Sequence, residues 1–277
     1  MANLFIFGLG YAAGAVASRL DGWVVTATTR DGRNGTLAFA DTARVRPALA
    51  AATHILSSVP PAEGRDPVLD RYGEALAASG AWLGYLSSTG VYGDAGGAWV
   101  DESAPTGTGR RTARAVADAA WLALGARVFR LPGIYGPGRS ALERVAAGQA
   151  HRVGLADQVF SRVHVDDIAS GVVAAFDGPA GAYNLADDLP APHDAVVQEA
   201  ARLLGLPPPP IVSLDSLSPM ARGFYAENRR VSAVKARRVL GWRPIYPDYR
   251  FGLRALSATT SPTSVRTPPA PASGDQR

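Results

Sequence analysis

Short apolar runs alternate with stretches of helical periodicity through the first half of the chain. The runs predict buried strands at 3–7, 23–29, 36–39, 54–59, 81–88 and 127–131. Between them, apolar residues recur at three- and four-residue intervals, which predicts helices at 11–20, 66–79 and 109–124 and a short helix ending near residue 52. Strands and helices that alternate at this spacing are typical of an α/β fold with a doubly wound parallel sheet.

The pattern changes beyond about residue 132, where glycine and proline are more frequent and the elements are shorter. We interpret 132–159 and 188–256 as the main parts of a smaller C-terminal lobe. The segment 160–176, FSRVHVDDIASGVVAAF, is predicted to return to the main domain. Residues 257–277 lack apolar periodicity, so we expect them to form a disordered tail.

A glycine-rich turn lies between the first predicted strand and the first predicted helix. Its sequence is Gly8-Leu9-Gly10-Tyr11-Ala12-Ala13. The first glycine permits a tight turn, the second lets the backbone approach a pyrophosphate, and Ala13 stands where a third glycine often packs helix against sheet. The free amides at the helix start favour phosphate groups. The sequence therefore predicts a dinucleotide site at Gly8, Leu9, Gly10, Tyr11 and Ala12.

The end of the second strand, Thr28-Thr29-Arg30, bears on which dinucleotide is bound. An NAD site usually places a carboxylate here to bond the ribose 2′-hydroxyl, whereas a 2′-phosphate favours hydroxyl and guanidinium donors. Thr29 and Arg30 therefore predict NADP, with NAD as the alternative. Asp31 would reach the ribose if the register shifted by one residue, and Arg30 would have no such role if it were a solvated loop residue.

Composition and charge exclude several other classes of function. The chain has no cysteine, and its four histidines show no metal-ligand spacing, so we expect no metal site. The net charge of +4 comes from scattered arginines, with Lys235 as the only lysine, and no basic tract predicts nucleic-acid binding. No apolar run is long enough to span a membrane, and the N-terminus does not resemble a signal peptide. We expect a cytoplasmic protein.

The segment LSSTGVYG at 86–93 resembles the extended short-chain dehydrogenase/reductase family, which contains sugar-nucleotide epimerases and dehydratases. Further family landmarks follow in order: RLPGIYGPGR at 130–139, RVHVDDIA at 162–169, AYNLAD at 182–187 and KARRVLGWRP at 235–244. The resemblance is closest to an atypical branch. It implies that 1–256 form a Rossmann-type, NAD(P)-binding domain with a substrate lobe mainly from 132–159 and 188–256, and that the ligand is a small molecule.

The resemblance also assigns site residues. Ser88 matches the catalytic Ser/Thr that would hydrogen-bond a substrate oxygen. Ser57 and Ser58 match positions that line the cofactor, and Leu131 and Pro132 match a segment beside the nicotinamide. The family also suggests a homodimer through the helices at 66–79 and 109–124, although their alanine-rich faces fit core packing equally well.

The chain departs from the family at the helix predicted from 109. The family places Tyr-x-x-x-Lys at the start of this helix, and here Arg110 and Arg114 occupy those positions, with Asp118 matching an acidic residue that follows. With Thr108 as its cap, the predicted helix places Arg110 within its apolar stripe and Arg114 at the edge of that stripe. A guanidinium remains protonated at any ordinary pH, so neither arginine can replace a tyrosine proton relay.

Two hypotheses follow from this departure. One is an NADP(H)-dependent oxidoreductase or epimerase-like enzyme that takes its proton from water, Tyr92 or the substrate, with Arg110 binding an anionic substrate and Arg114 the nicotinamide ribose. The other is a non-catalytic dinucleotide-binding protein that acts as a sensor or binds a partner. A structural alternative pairs Arg114 with Asp118 along the helix, which leaves Arg110 unexplained.

Overall fold

The computed structural model describes residues 2–260 of the 277. Its strands are β1 (Asn3–Phe7), β2 (Val24–Thr29), β3 (Leu37–Ala38), β4 (His54–Ser57), β5 (Trp82–Ser88), β6 (Trp99–Val100), β7 (Arg127–Leu131), β8 (Gly133–Tyr135), β9 (Val159–Phe160), β10 (Arg162–His164), β11 (Gly181–Asn184), β12 (Ala191–Pro192) and β13 (Arg230–Val231). Its α-helices are α1 (Tyr11–Ala17), α2 (Thr42–Ala50), α3 (Pro67–Ala78), α4 (Thr112–Ala123), α5 (Ala141–Ala146), α6 (Val165–Ala174), α7 (His193–Leu204), α8 (Pro219–Phe224), α9 (Val234–Leu240) and α10 (Tyr249–Thr260). A 3₁₀ turn, Thr89–Tyr92, follows β5.

A seven-stranded sheet forms the centre of the molecule, in the order β11-β7-β5-β4-β1-β2-β3. All of its neighbouring strands pair in parallel. The order reverses at β1 and β4, so a crevice opens where their carboxyl ends diverge, which is where open α/β sheets bind ligands. The predicted Rossmann-type doubly wound sheet is confirmed, and each predicted strand coincides with an observed one.

The two faces of the sheet bury two separate apolar clusters. Leu4 and Ile6 of β1 face a cluster that contains α1 and α6, whereas Phe5 and Phe7 face a cluster that contains α2, α3 and α4. Side chains alternate along a strand, so residues 4–7 of β1 must all be apolar for the strand to be covered on both faces. The predicted return of 160–176 to the main domain corresponds to α6, which packs beside α1.

A smaller, third cluster joins α5, α7 and α10 in the C-terminal half. Tyr135, Val197 and Leu253 are buried within it. Helix α10 runs to Thr260, so the first residues of the predicted tail are helical, and 261–277 lie outside the described residues. None of the described helices is both long and apolar enough to cross a membrane.

The start of α4 differs from the sequence prediction. The helix begins at Thr112 with Arg111 as its N-cap, and no side chain caps it. Thr108, the predicted cap, instead donates its hydroxyl to the carbonyl oxygen of Tyr92 at 2.9 Å. Arg110 therefore precedes the helix, so its placement in an apolar helical stripe is wrong. The apolar stripe predicted for this helix also includes Val116, which is 65% exposed.

Candidate functional site

The glycine turn is fixed from two neighbouring strands. The Gly8 amide donates to the hydroxyl of Thr28 at 3.2 Å, and the Ser58 hydroxyl donates to the Gly8 carbonyl. Gly8 has a φ of 79°, and a Cβ there would lie 2.9 Å from the side chain of Val59. Glycine is therefore required at position 8 for conformation and for space. A Cβ on Gly10 would meet nothing within 4 Å, so this position borders open space.

A cavity of about 560 Å³ lies over this turn. The predicted residues that line it are Gly8, Leu9, Gly10, Thr29, Arg30 and Ser58. Other predicted cofactor residues do not line it. Ser57 is fully buried, and Tyr11 donates its hydroxyl to the carbonyl oxygen of Pro137 at 3.0 Å, which connects α1 to the loop after β8. Ala12 packs against the apolar cluster formed by α1 and α6.

Two arginines line this cavity. Arg30 is exposed and lines this cavity, and Arg33 reaches the same cavity from the loop that follows. Asp31 does not line the cavity, because its carboxylate is 3.3 Å from the Thr29 hydroxyl and 3.9 Å from Arg33. The Thr29 hydroxyl also accepts the amide hydrogens of Gly32 and Arg33. The exposed guanidinium of Arg30, rather than Thr29, is therefore the donor available to a ligand in this cavity, whereas Arg33 lies within 3.9 Å of Asp31.

Ser88 lies at the carboxyl end of β5 and lines a second cavity, of about 160 Å³. Its hydroxyl accepts a hydrogen bond from the Gly90 amide at 3.2 Å and begins the 3₁₀ turn. The other residues around this cavity, which we call the Ser88 pocket, include Gly90, Arg110, Arg111, Pro132, Gly133, Phe160, Phe224, Glu227 and Arg229. Pro132 lines this pocket together with Ser88, whereas Leu131 is buried and 3% exposed. The predicted position of both residues beside the nicotinamide stays a prediction.

Arg110 lines the Ser88 pocket, but protein groups hold its side chain. Its Nε lies 3.7 Å from Glu227 Oε1, and its guanidinium lies 4.9 Å from the centre of the Phe224 ring. The Arg110 amide also donates to Glu227 at 3.0 Å. The buried Glu227 carboxylate bonds Arg229 as well, at 2.9 Å. Glu227 therefore holds the Arg110 side chain, and Arg229 shares the single negative charge of this carboxylate.

Arg114 points toward the sheet. Its guanidinium donates to the Tyr85 hydroxyl at 2.9 Å and to the Leu86 carbonyl oxygen at 3.3 Å. It does not line either cavity described above. Nor does it pair with Asp118, so the structural alternative of a pair along the helix is wrong.

Asp118 instead forms a buried ion pair with Arg130 of β7. The distance between Arg130 Nη2 and Asp118 Oδ1 is 2.8 Å, and both side chains are at most 5% exposed. Ser87, next to Ser88, donates its hydroxyl to the same carboxylate at 2.6 Å. Arg130 also donates to the Tyr92 hydroxyl at 3.0 Å, which in turn donates to Asn184 at 2.7 Å. This network connects the end of β5, the 3₁₀ turn and β11.

The phenols near the site are poor proton donors. Burial raises the pKa of Tyr92 to about 12, and it raises the pKa of Tyr85 to about 12 as well. Tyr92 is 3% exposed, and it does not line the Ser88 pocket. The structure therefore gives no support to Tyr92 as a proton source.

Sequence reasoning missed Arg111, Arg33 and Glu227. Arg111 lies over Gly90, since a Cβ on Gly90 would be 2.6 Å from Arg111 Cδ and 3.4 Å from Ser88 Oγ. The Arg110-Arg111 doublet is the sequence signal for Arg111, although the family motif points only to position 110. Across the described residues, no group of three or more His, Cys, Asp or Glu side chains is placed to hold a metal ion.

Comparisons with known proteins agree with this geometry. No protein-family model matches the chain. A solved structure of a conserved protein of unknown function from Silicibacter pomeroyi is 42% identical, with a TM-score of 0.86, and the match covers 94% of this chain and 99% of that one. The human epimerase family protein SDR39U1, solved with NADPH, is 17% identical, with a TM-score of 0.70 over 92% of this chain and 99% of its own.

A curated relative carries a functional name. It is a 3-diazoavenalumate denitrifying reductase from a Streptomyces species, 34% identical over 158 residues. The match covers 51% of this chain and 52% of the relative, so the chain spans about half the length of this curated relative.

Proposed function

We propose that this chain is an NADP(H)-dependent reductase without a tyrosine proton relay. The chain belongs to one family with the Silicibacter pomeroyi protein. It has the epimerase/dehydratase-type fold of the extended short-chain dehydrogenases/reductases. The observation that carries the proposal is the composition of the Ser88 pocket. This pocket lies at the carboxyl end of a central strand and is lined by two serines and by guanidinium groups, with no phenol among its described lining residues.

The cavity over Gly8 would hold the cofactor. The glycine turn and Ser58 would face the pyrophosphate, and the exposed guanidinium groups of Arg30 and Arg33 would bind a 2′-phosphate in charge-assisted hydrogen bonds. Asp31 does not line this cavity, so no carboxylate from this loop is placed to bond a ribose hydroxyl, which supports NADP over NAD. The NADPH bound to the human epimerase family protein is consistent with this choice.

The chemistry of the Ser88 pocket favours a hydride acceptor that needs no proton from a phenol. Arginine cannot donate a proton near neutral pH. A carbonyl accepts hydride to give an alkoxide that must then be protonated. An aryl diazonium group, by contrast, takes hydride at its ring carbon and loses N₂, so NADPH becomes NADP⁺ and the arene forms with no proton transfer. The name of the Streptomyces relative supports this class of substrate.

The decisive experiment supplies NADPH labelled with deuterium at C4 and compares aryl diazonium salts with aldehydes, ketones and nucleotide sugars. We expect protein-dependent loss of NADPH absorbance with a diazonium salt, and deuterium in the arene product. Because diazonium salts also react without enzyme, the controls are buffer alone and Ser88→Ala. Deuterium incorporation at the rate of the buffer control would refute the proposed reductase activity on diazonium substrates.

The contacts of the Arg114 guanidinium favour the second hypothesis, a non-catalytic dinucleotide-binding protein. The family lysine contacts the nicotinamide ribose, but here the guanidinium at that position bonds Tyr85 and Leu86. Tight NADPH binding without oxidation by any compound of the panel would support this alternative.

The proposal extends to the substrate lobe. A cavity of about 480 Å³ in this region is lined by Tyr135, Arg144 and His193, and it shares Gly133 and Phe160 with the Ser88 pocket. A substrate with its reacting end beside Ser88 would extend into this lobe, mainly formed by 132–159 and 188–256. A homodimer through α3 and α4 stays a prediction, which the molecular mass in solution would test.

A further inference from the structure

The guanidinium groups around the Ser88 pocket differ in their partners. Arg110 and Arg229 both contact Glu227, at 3.7 Å and 2.9 Å. The guanidinium of Arg111 has no hydrogen bond and no ion pair within the described residues 2–260, and only the backbone carbonyl of this residue is bonded, by the amides of Arg114 and Ala115. An anion can therefore bind Arg111 without first displacing a carboxylate, whereas binding to Arg110 or Arg229 would compete with Glu227.

Arg111 lies close to Ser88. The position that a Cβ on Gly90 would occupy is 3.2 Å from Arg111 Nε and 3.4 Å from Ser88 Oγ. The absence of a side chain at Gly90 thus leaves space that Arg111 and Ser88 share. Arg111 is exposed, and it lines the pocket together with Pro132. A group bound to this guanidinium would lie beside the predicted catalytic hydroxyl.

The electrostatics of the pocket favour an anion. Arg110, Arg111 and Arg229 line it, and Glu227 is the one acidic residue among its described lining residues. Partial burial of the guanidinium lowers the pKa of Arg111, and the nearby positive charges of Arg110 and Arg114 lower it further. A bound anion would relieve this repulsion between like charges.

We propose that Arg111 binds a carboxylate of the substrate beside Ser88, so that the substrate is a small carboxylic acid whose acid group lies near the reacting atom. This inference rests on the proposed function, which places the reaction at Ser88. The planar fork of an arginine matches a carboxylate with two parallel hydrogen bonds. The cavity of about 160 Å³ is smaller than the roughly 300–1,000 Å³ of drug-sized sites, which suits the acid end of a small molecule.

Calorimetric titration of the full chain with benzoate and with benzamide tests this assignment. The two probes have nearly the same shape and differ in charge. We expect benzoate to bind at least tenfold more tightly than benzamide. Arg111→Ala should weaken benzoate binding about tenfold or more and leave benzamide and NADP⁺ binding unchanged. The affinity of Arg111→Lys for benzoate should lie between those of the wild type and Arg111→Ala, because lysine keeps the charge without the fork.

Arg238→Ala is the matched control, because Arg238 is exposed on α9 and does not line the Ser88 pocket. If Arg238→Ala weakened benzoate binding as much as Arg111→Ala does, the effect would come from net charge in general, and the proposal would be overturned. Benzoate binding to Arg111→Ala within twofold of the wild type would overturn it as well, as would equal affinity of the wild type for the two probes, or no benzoate binding at all. Failure of the reductase proposal would appear separately, as the lack of NADPH oxidation in a protein that still binds benzoate through Arg111.

Discussion

Replacing Asp118 with asparagine should destabilise the fold by about 3–5 kcal/mol. The Asp118 carboxylate accepts hydrogen bonds from Arg130 at 2.8 Å and 3.2 Å and from Ser87 at 2.6 Å. Both partners of the ion pair are almost fully buried. Asparagine keeps the size of the side chain but removes its charge, so the guanidinium of Arg130 would remain buried without a counter-charge.

The surface pair between Arg202 and Glu199 provides a matched control. It also has two short contacts, at 2.7 Å and 2.8 Å, but Arg202 is 64% exposed. Water screens such a pair, so Glu199→Gln should cost less than ~1 kcal/mol. The double variant Asp118→Leu with Arg130→Met removes both buried charges and should recover much of the stability that Asp118→Asn loses.

Urea unfolding at pH 7, followed by circular dichroism, measures these differences in the free energy of unfolding. A loss below 1 kcal/mol for Asp118→Asn, similar to that of Glu199→Gln, would refute the reasoning. Arg114→Gln tests whether Asp118 depends on Arg130, as observed, or on Arg114 along α4. If Asp118 depended on Arg114, that variant would reproduce the loss, whereas the structure predicts that it does not.

Three further predictions concern the cofactor, the reaction and pH. Arg30→Ala and Arg33→Ala should each weaken NADPH binding by roughly 1.5–3 kcal/mol without changing NADH binding. Fluorescence titrations measure both affinities, and equal losses for the two cofactors would contradict a phosphate contact. Ser88→Ala should lower kcat while the melting temperature stays within a few degrees of the wild type, and unchanged kcat would make this serine only a turn residue. Burial raises the pKa of Asp187 to about 8, well above the value near 3.9 of an unfolded chain, so the folded state retains a proton that the unfolded state releases. Stability should therefore fall as the pH rises from about 4 to about 8, and Asp187→Asn should show a smaller fall in urea unfolding at pH 5 and pH 8.

The sheet could be predicted because its signals are local. β1 is apolar at alternating positions on both faces, and the glycine turn follows it directly, so strand, turn and helix are all present within 17 residues. Ser88 and Pro132 could be placed for a similar reason. Ser88 ends β5 and Pro132 directly follows β7, and parallel strands bring their carboxyl ends to one edge.

The start of α4 could not be predicted, because distant groups decide it. A Cβ on Gly109 would lie 2.6 Å from the Cα of Gly93, and the amide of Arg110 donates to Glu227, more than 100 residues away in sequence. These contacts hold the segment before Thr112 outside the helix, even though its local pattern suits a helix. The pairing of Asp118 with Arg130 likewise depends on the packing of α4 against β7, which helical spacing does not reveal.

The packing of α1 against α6 has a consequence for synthesis of the chain. The apolar side of α1, with Ala13 and Val16, is covered by Ile168 and Val172 of α6. The ribosome completes α1 about 150 residues before α6, which at ordinary elongation rates takes roughly 7–30 s. During that time one side of the first strand and helix has no native cover. We therefore expect the emerging chain to expose this apolar surface until α6 leaves the exit tunnel.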